Sequence, residues 1–193
     1  MLEETTETKS DFDRLVHRMN RAYGCFWIWK NIRKSLSIPE IGEKEAERRS
    51  SIMSRYGGIF SGVLYATENT FITDLHKFFD KPKKSLRLES LIGKLSLEDR
   101  KKIDVYLNTH KNEIKRIENL RHNFTAHEPI NPQDEKIYTQ EIEAVFLVIQ
   151  EILNIISKST RGDFFTWELW ESTTNESFTC LLNDLESAPG YLT

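Results

Sequence analysis

The chain has 193 residues, 38% hydrophobic and 30% charged, enough for one sizeable core with appendages, and its net charge of −3 excludes a uniformly basic nucleic-acid coat but not a local basic patch. Only Cys25 and Cys180 occur, far apart and without Cys or His at ligand spacing, which argues against a disulfide framework or a structural zinc site; no cofactor is expected. No stretch approaches the roughly 20 apolar residues that cross a bilayer and the start is acidic and polar, so a cytoplasmic protein with no membrane association is expected.

Eight Gly and five Pro leave long uninterrupted stretches, so helices should dominate. Leu15, Met19, Ala22, Phe26, Trp29 and Leu36 recur at helical spacing, with Arg33 in the one gap, and predict a first helix over 11–36. Ser37-Ile38-Pro39 breaks it. From Lys44 to Asp80 there is no proline, and Ile52, Ile59, Phe60, Val63, Leu64, Phe71, Leu75 and Phe78 form a wide apolar face. This second long helix should bend at Gly57-Gly58, which together with Gly62 read as a site of close helix packing rather than a phosphate loop. Lys81 to Lys84, with Pro82, end it in a basic turn that joins Lys77 and Arg87 as a solvated patch or a guide for a phosphate backbone.

A short helical piece near 85–95 precedes Ser96, whose hydroxyl and the following Glu98-Asp99 mark a helix N-terminus. The helix beginning there carries Ile103, Leu107, His110, Ile114 and Ile117 at steps of three and four, and the next place in the stripe is Arg121. Pro129 and Pro132 stop it, and Asp134 and Glu135 are expected to head the next helix. There Tyr138, Ile142, Val145, Ile149, Ile152 and Ile156 form the seam of a nearly parallel or antiparallel bundle. From Gly162 to Thr193 there are six acids and no Lys or Arg, leaving +3 on residues 1–161. Phe164, Phe165, Trp167 and Trp170 are too apolar for a disordered tail, while Phe178, Leu181, Leu182 and Leu185 fit a short final helix. The expected fold is therefore all-α: an antiparallel bundle of four to five long helices over 1–161, with an aromatic, acidic arm, 162–193, packed on it.

Chemistry concentrates in Leu120-Arg121-His122-Asn123-Phe124-Thr125-Ala126-His127-Glu128-Pro129. Arginine is a permanent planar cation that holds a phosphate through two hydrogen bonds, and histidine exchanges a proton near neutral pH. Such a pair can cleave RNA without metal: the ribose 2′-hydroxyl attacks, His127 moves the proton, and Arg121 stabilises charge on the phosphoryl oxygens. Products would be a 2′,3′-cyclic phosphate and a 5′-hydroxyl, and DNA, lacking the hydroxyl, would be inert. Residues six apart on a regular helix lie about 240° apart, so the helix must end before Pro129 or two chains must pair for both groups to reach one cleft. An Arg with a His four to six residues beyond it is expected roughly once by chance here. It occurs twice, at Arg116 with His122 and at Arg121 with His127, and only Arg121 lies on the apolar stripe.

At these residues the sequence resembles the HEPN superfamily (higher eukaryotes and prokaryotes nucleotide-binding), and within it the abortive-infection-associated, AbiU-like branch. The resemblance covers roughly 12–158. It implies a metal-independent ribonuclease, a toxin or phage-defence effector, whose cleft forms between two protomers. Arg121 and His127 match the catalytic pair, His122 the variable polar position, and His122, Asn123 and Arg116 are expected as supporting residues. Expected partners are RNA, a second copy of the chain and a cognate antitoxin protein; the alternative is a non-catalytic dimeric bundle that binds a partner protein or nucleotide.

Plainer readings stand beside these. Arg121 is a buried cation paired with Glu68 or Asp74, and His127 is a C-terminal cap. His110 and His17 are hydrogen-bonded core histidines. Arg33 reaches the same site as Arg121 or marks a polar interface. A metal on His122, His127 and Asp134 is disfavoured because the two His lie about 140° apart on a helix. The four Trp are core or dimer contacts rather than base-stacking platforms.

Overall fold

The computed structural model describes residues 6–80, 88–125, 138–167 and 170–188, and within them the side chains of 11–80, 88–121, 138–167 and 172–188. The described residues are all-α: α1 (Thr6–Lys34), α2 (Ile38–Ile41), α3 (Glu43–Arg55), α4 (Gly57–Phe79), α5 (Leu88–Ile92), α6 (Leu97–Thr109), α7 (Lys111–Thr125), α8 (Thr139–Arg161) and α9 (Trp170–Ser187). They fall into two compact units. The first contains residues up to Tyr23 and Phe71–Glu168, the second Gly24–Thr70 and the chain from Leu169.

In the first unit α6, α7 and α8 pack on one another. The seam of α8 is buried as the periodicity requires, from Ile142 through Val145, Ile149 and Ile152 to Ile156. The helix starts later than expected: exposed Tyr138 is its N-cap residue and Glu141 the acid of its first turn, while Asp134 and Glu135 lie outside the described residues. Gly162, at φ +80°, terminates α8 in the left-handed conformation, where a side chain would be strained, and its N–H donates to Ser157 O at 3.2 Å. Leu15, Met19 and Ala22 of α1 are buried, and Arg161 ties α8 to α1 through Asp13 at 2.6 Å and the Phe12 ring at 4.5 Å. Trp167 stacks on Tyr23, 4.6 Å between centroids, and meets Phe146 and Phe165 edge-on. Trp27 and Trp29, in the second unit, are buried too. Phe164, by contrast, is exposed under the Lys158 ammonium.

Two continuous helices of the sequence reading are each broken in two. The stretch 44–80 breaks at Tyr56, one residue before Gly57-Gly58, and the glycines open α4 rather than bend it. Among the described residues, a Cβ at Gly57, Gly58 or Gly62 would meet nothing within 4 Å, so close packing against them is not their role. The helix after Ser96 breaks at His110, whose backbone N–H still caps α6 through Tyr106 O while α7 begins at Lys111. Ser96 itself caps as expected, its Oγ accepting the Asp99 N–H at 3.1 Å.

The second unit has its own core. Ile32, Ile52, Met53, Phe60 and Leu182 are buried together, with Tyr56, Phe178 and Leu185 packed on them. α9 holds to α3 through Arg48, which bonds Glu186, and through the Tyr56 hydroxyl, which donates to Leu185 O at 3.4 Å. The first-helix stripe changes here: Ile32 is buried, Arg33 is exposed, and Leu36 is 44% exposed. Ile59 and Leu181, read as apolar-face residues, are also exposed. Pro39 does not end helicity but sits at the start of the one-turn α2, and Gly42, at φ +82°, turns the chain from α2 into α3.

Candidate functional site

α7 carries the Arg-and-His segment. Ile117 and Leu120 are buried, and Arg121, a turn beyond Ile117 and next to Leu120, is half-buried. The stripe thus ends in a guanidinium that the fold keeps partly in solvent, as a cation at the edge of an apolar face must be. Arg116, on another side of α7, donates to Glu141 Oε1 at 2.6 Å and lies 5.1 Å from the Tyr138 ring, joining α7 to the head of α8. Helix α7 includes His122 and Asn123, whose side chains are outside the description; His127 and the loop 128–133 lie outside the described residues altogether.

The carboxylates considered as partners of Arg121 are engaged by other arginines. Asp74, 2% exposed, takes a two-pronged hydrogen bond from Arg21, with Nε and Nη2 at 2.9 and 2.7 Å. Glu68 belongs to the second unit, where burial pushes its carboxyl up, with the Arg33 charge and the Trp29 indole N–H pulling the other way. Arg33 lies over the Trp29 ring at 4.8 Å. Neither histidine read as a core residue is one: His17 is exposed, and His110 sits half-buried at the break between α6 and α7, its Nδ1 4.0 Å from Glu113. Lys77 is exposed, and the other members of the basic turn, Lys81, Lys83, Lys84 and Arg87, lie outside the described residues, as does Asp134 of the disfavoured metal set.

A family model described as AbiU2, of the HEPN type, matches residues 7–175, from α1 into the first turns of α9 and across all of α7. The chain belongs to the AbiU2 family of HEPN domains. It is accordingly an abortive-infection-related HEPN domain, and the Arg121 segment of α7 falls within the matched region. No curated protein and no solved structure matches the chain. Among the described residues of this HEPN domain, no helix is long and apolar enough to cross a membrane.

One feature was missed by reading the sequence for motifs. The second unit carries a half-open pocket of about 300 Å³ whose lining includes Lys30, Asn31 and Lys34 from α1 and Arg49 from α3. Its signal was present as Trp27, Lys30, Asn31 and Lys34, three or four apart on one helix face. Cations at that spacing ordinarily mark a solvated surface, and no apolar stripe runs through them.

Proposed function

We propose that this HEPN domain is a metal-independent endoribonuclease that acts as a toxin or phage-defence effector, with Arg121 and His127 meeting in a cleft between two copies of the chain. The 2′-hydroxyl oxygen attacks the adjacent phosphorus as His127 takes its proton. The bond to the 5′-oxygen breaks, that oxygen is protonated, and the products are a 2′,3′-cyclic phosphate and a 5′-hydroxyl. Arg121 holds the non-bridging oxygens as charge accumulates on them. His122, Asn123 and Arg116 support the site; RNA is the substrate, a cognate antitoxin the expected protein partner, and the cytoplasm the expected compartment.

The observation that carries this reading is the half-buried Arg121 at the end of the α7 stripe, inside the family match. At such an edge the guanidinium is less screened than in open water, so its attraction for a phosphate is stronger. The test is total RNA incubated with the full chain in excess chelator, with product ends identified chemically. Cleavage should persist without metal, leave DNA untouched, fall by about 10²–10³-fold in Arg121→Ala and by about 10²–10⁴-fold in His127→Ala. Intact RNA from a folded, assembled wild-type chain would instead leave the non-catalytic partner-binding bundle.

A further inference from the structure

The core of the second unit is closed by a helix from the far end of the chain. Ile32 of α1, Ile52 and Met53 of α3 and Phe60 of α4 are each 2–7% exposed, and the fifth member of their cluster is Leu182 of α9, fully covered. Phe178 meets the Phe60 ring edge-on at 6.4 Å, and Leu185 packs on the same cluster. Phe178, Leu182 and Leu185 stand at i, i+4 and i+7, the anchor spacing of an amphipathic helix laid in an apolar groove. The groove residues lie within the family match, residues 7–175, whereas all three anchors lie beyond it.

By composition α9 is a weak helix. Eight of its 18 residues are Ser, Thr or Asn, which compete for backbone hydrogen bonds. Two of them do so here: the Thr179 and Ser187 hydroxyls donate to the carbonyls of Asn175 and Asn183 at 3.0 and 2.9 Å. Asp184 and Glu186 stand in the last turn with no basic residue beside them, the unfavourable sign for that end of the dipole. Such a segment would not hold a helix alone, so its order comes from docking, and of its described side chains only Leu182 is buried. That combination belongs to the low-stability end of a fold, where an element opens while the rest stays folded. At the edge of the groove Arg48 and Arg49 share Glu45, which leaves one positive charge over, and Arg48 also bonds Glu186, the residue after the last anchor. Met53 gives the groove a side chain that adapts to different occupants.

We propose that α9 is a releasable latch on a helix-docking groove, and that the groove receives, in place of α9, an amphipathic helix of a partner protein with apolar residues at i, i+4 and i+7 and a carboxylate at i+8 to meet Arg48. The site lies wholly in the second unit and does not depend on the nuclease reading.

The experiment adds a labelled peptide of residues 172–188 in trans to the full chain and follows its fluorescence anisotropy. In wild type the tethered helix competes as an intramolecular ligand, so half-saturation is expected near about 1 mM. Weakening the latch should free the groove: Leu182→Ala in the chain should bind the native peptide at least about tenfold more tightly. Glu186→Gln, an exposed change that spares the core, should bind it about two- to fivefold more tightly. The same peptide carrying Leu182→Ala should fail on all three chains. In hydrogen exchange, α9 amides should exchange through an opening that leaves the α8 seam protected, and the native peptide should speed that exchange. The proposal is overturned if the native peptide binds neither variant chain below about 1 mM, if the Leu182→Ala peptide binds as well as the native one, or if α9 amides exchange only together with those of the α8 seam. Self-association of the wild type that Leu182→Ala abolishes would overturn it as well, assigning the groove to α9 of a second copy.

Discussion

At the scale of single residues, this molecule separates its arginines by the company they keep. Arg21 is committed to the buried Asp74, Arg116 to Glu141 at the head of α8, and Arg48 and Arg49 to Glu45. Glu68 shows how burial and pairing compete. Burial raises its carboxyl more than Arg33 and the Trp29 N–H lower it, so the charged form is disfavoured in the fold relative to the unfolded chain, where a Glu titrates near about 4.3. The sign follows: below that value the side chain is protonated in both states and costs nothing, and as pH rises the unfolded chain releases its proton first and stability is lost. Glu68→Gln should therefore have the higher Tm at pH 8, with the difference shrinking to nothing towards pH 4. A variant less stable than wild type at pH 8 would mean that the Arg33 attraction outweighs desolvation.

At the scale of helices, the sequence was most readable where one face is buried along its whole length. The α8 seam, the α1 stripe from Leu15 to Trp29 and the Ser96 cap follow from spacing and from one side-chain hydrogen bond. The break at Tyr56 falls one residue before the glycine pair where an interruption was expected, whereas the break at His110 was not readable, because the apolar positions continue in register across it and it is neither Pro nor Gly; tertiary packing sets it. At the site, the pattern identified Arg121 and its place beside buried Ile117 and Leu120, but the cationic pocket was hidden, since no apolar period marks it. Gly57-Gly58 marked the interruption of the long helix to within a residue, but the close-packing reading of Gly57, Gly58 and Gly62 misled: Gly62 lies within α4 with no described atom within 4 Å of where a Cβ would go. Gly62→Ala should consequently stabilise the protein by about 0.5–1 kcal/mol through backbone entropy and helix propensity, readable as a shift in urea midpoint at unchanged slope. A loss of stability would show that a neighbour occupies that space in solution.

At the scale of the whole molecule, the proposed chemistry makes a demand that one chain need not meet. His127 lies six positions beyond Arg121, and a straight helix would carry them about 240° apart. Two copies related by a two-fold axis bring two arginines and two histidines to one seam, and a self-complementary surface is the usual way for a chain to build such a cleft. On the proposed reading, activity belongs to the dimer and obeys mass action. Specific activity per chain should be constant at high concentration and fall as dilution passes the dimer dissociation constant, with the same midpoint in cleavage and in sedimentation. Mixing an inactive His127→Ala chain in excess with wild type should alter activity beyond simple dilution, because most wild-type chains would then sit in mixed dimers. Constant activity per chain in a sample that sediments as monomer would place both groups in a single protomer and require α7 and the segment after it to turn back on themselves.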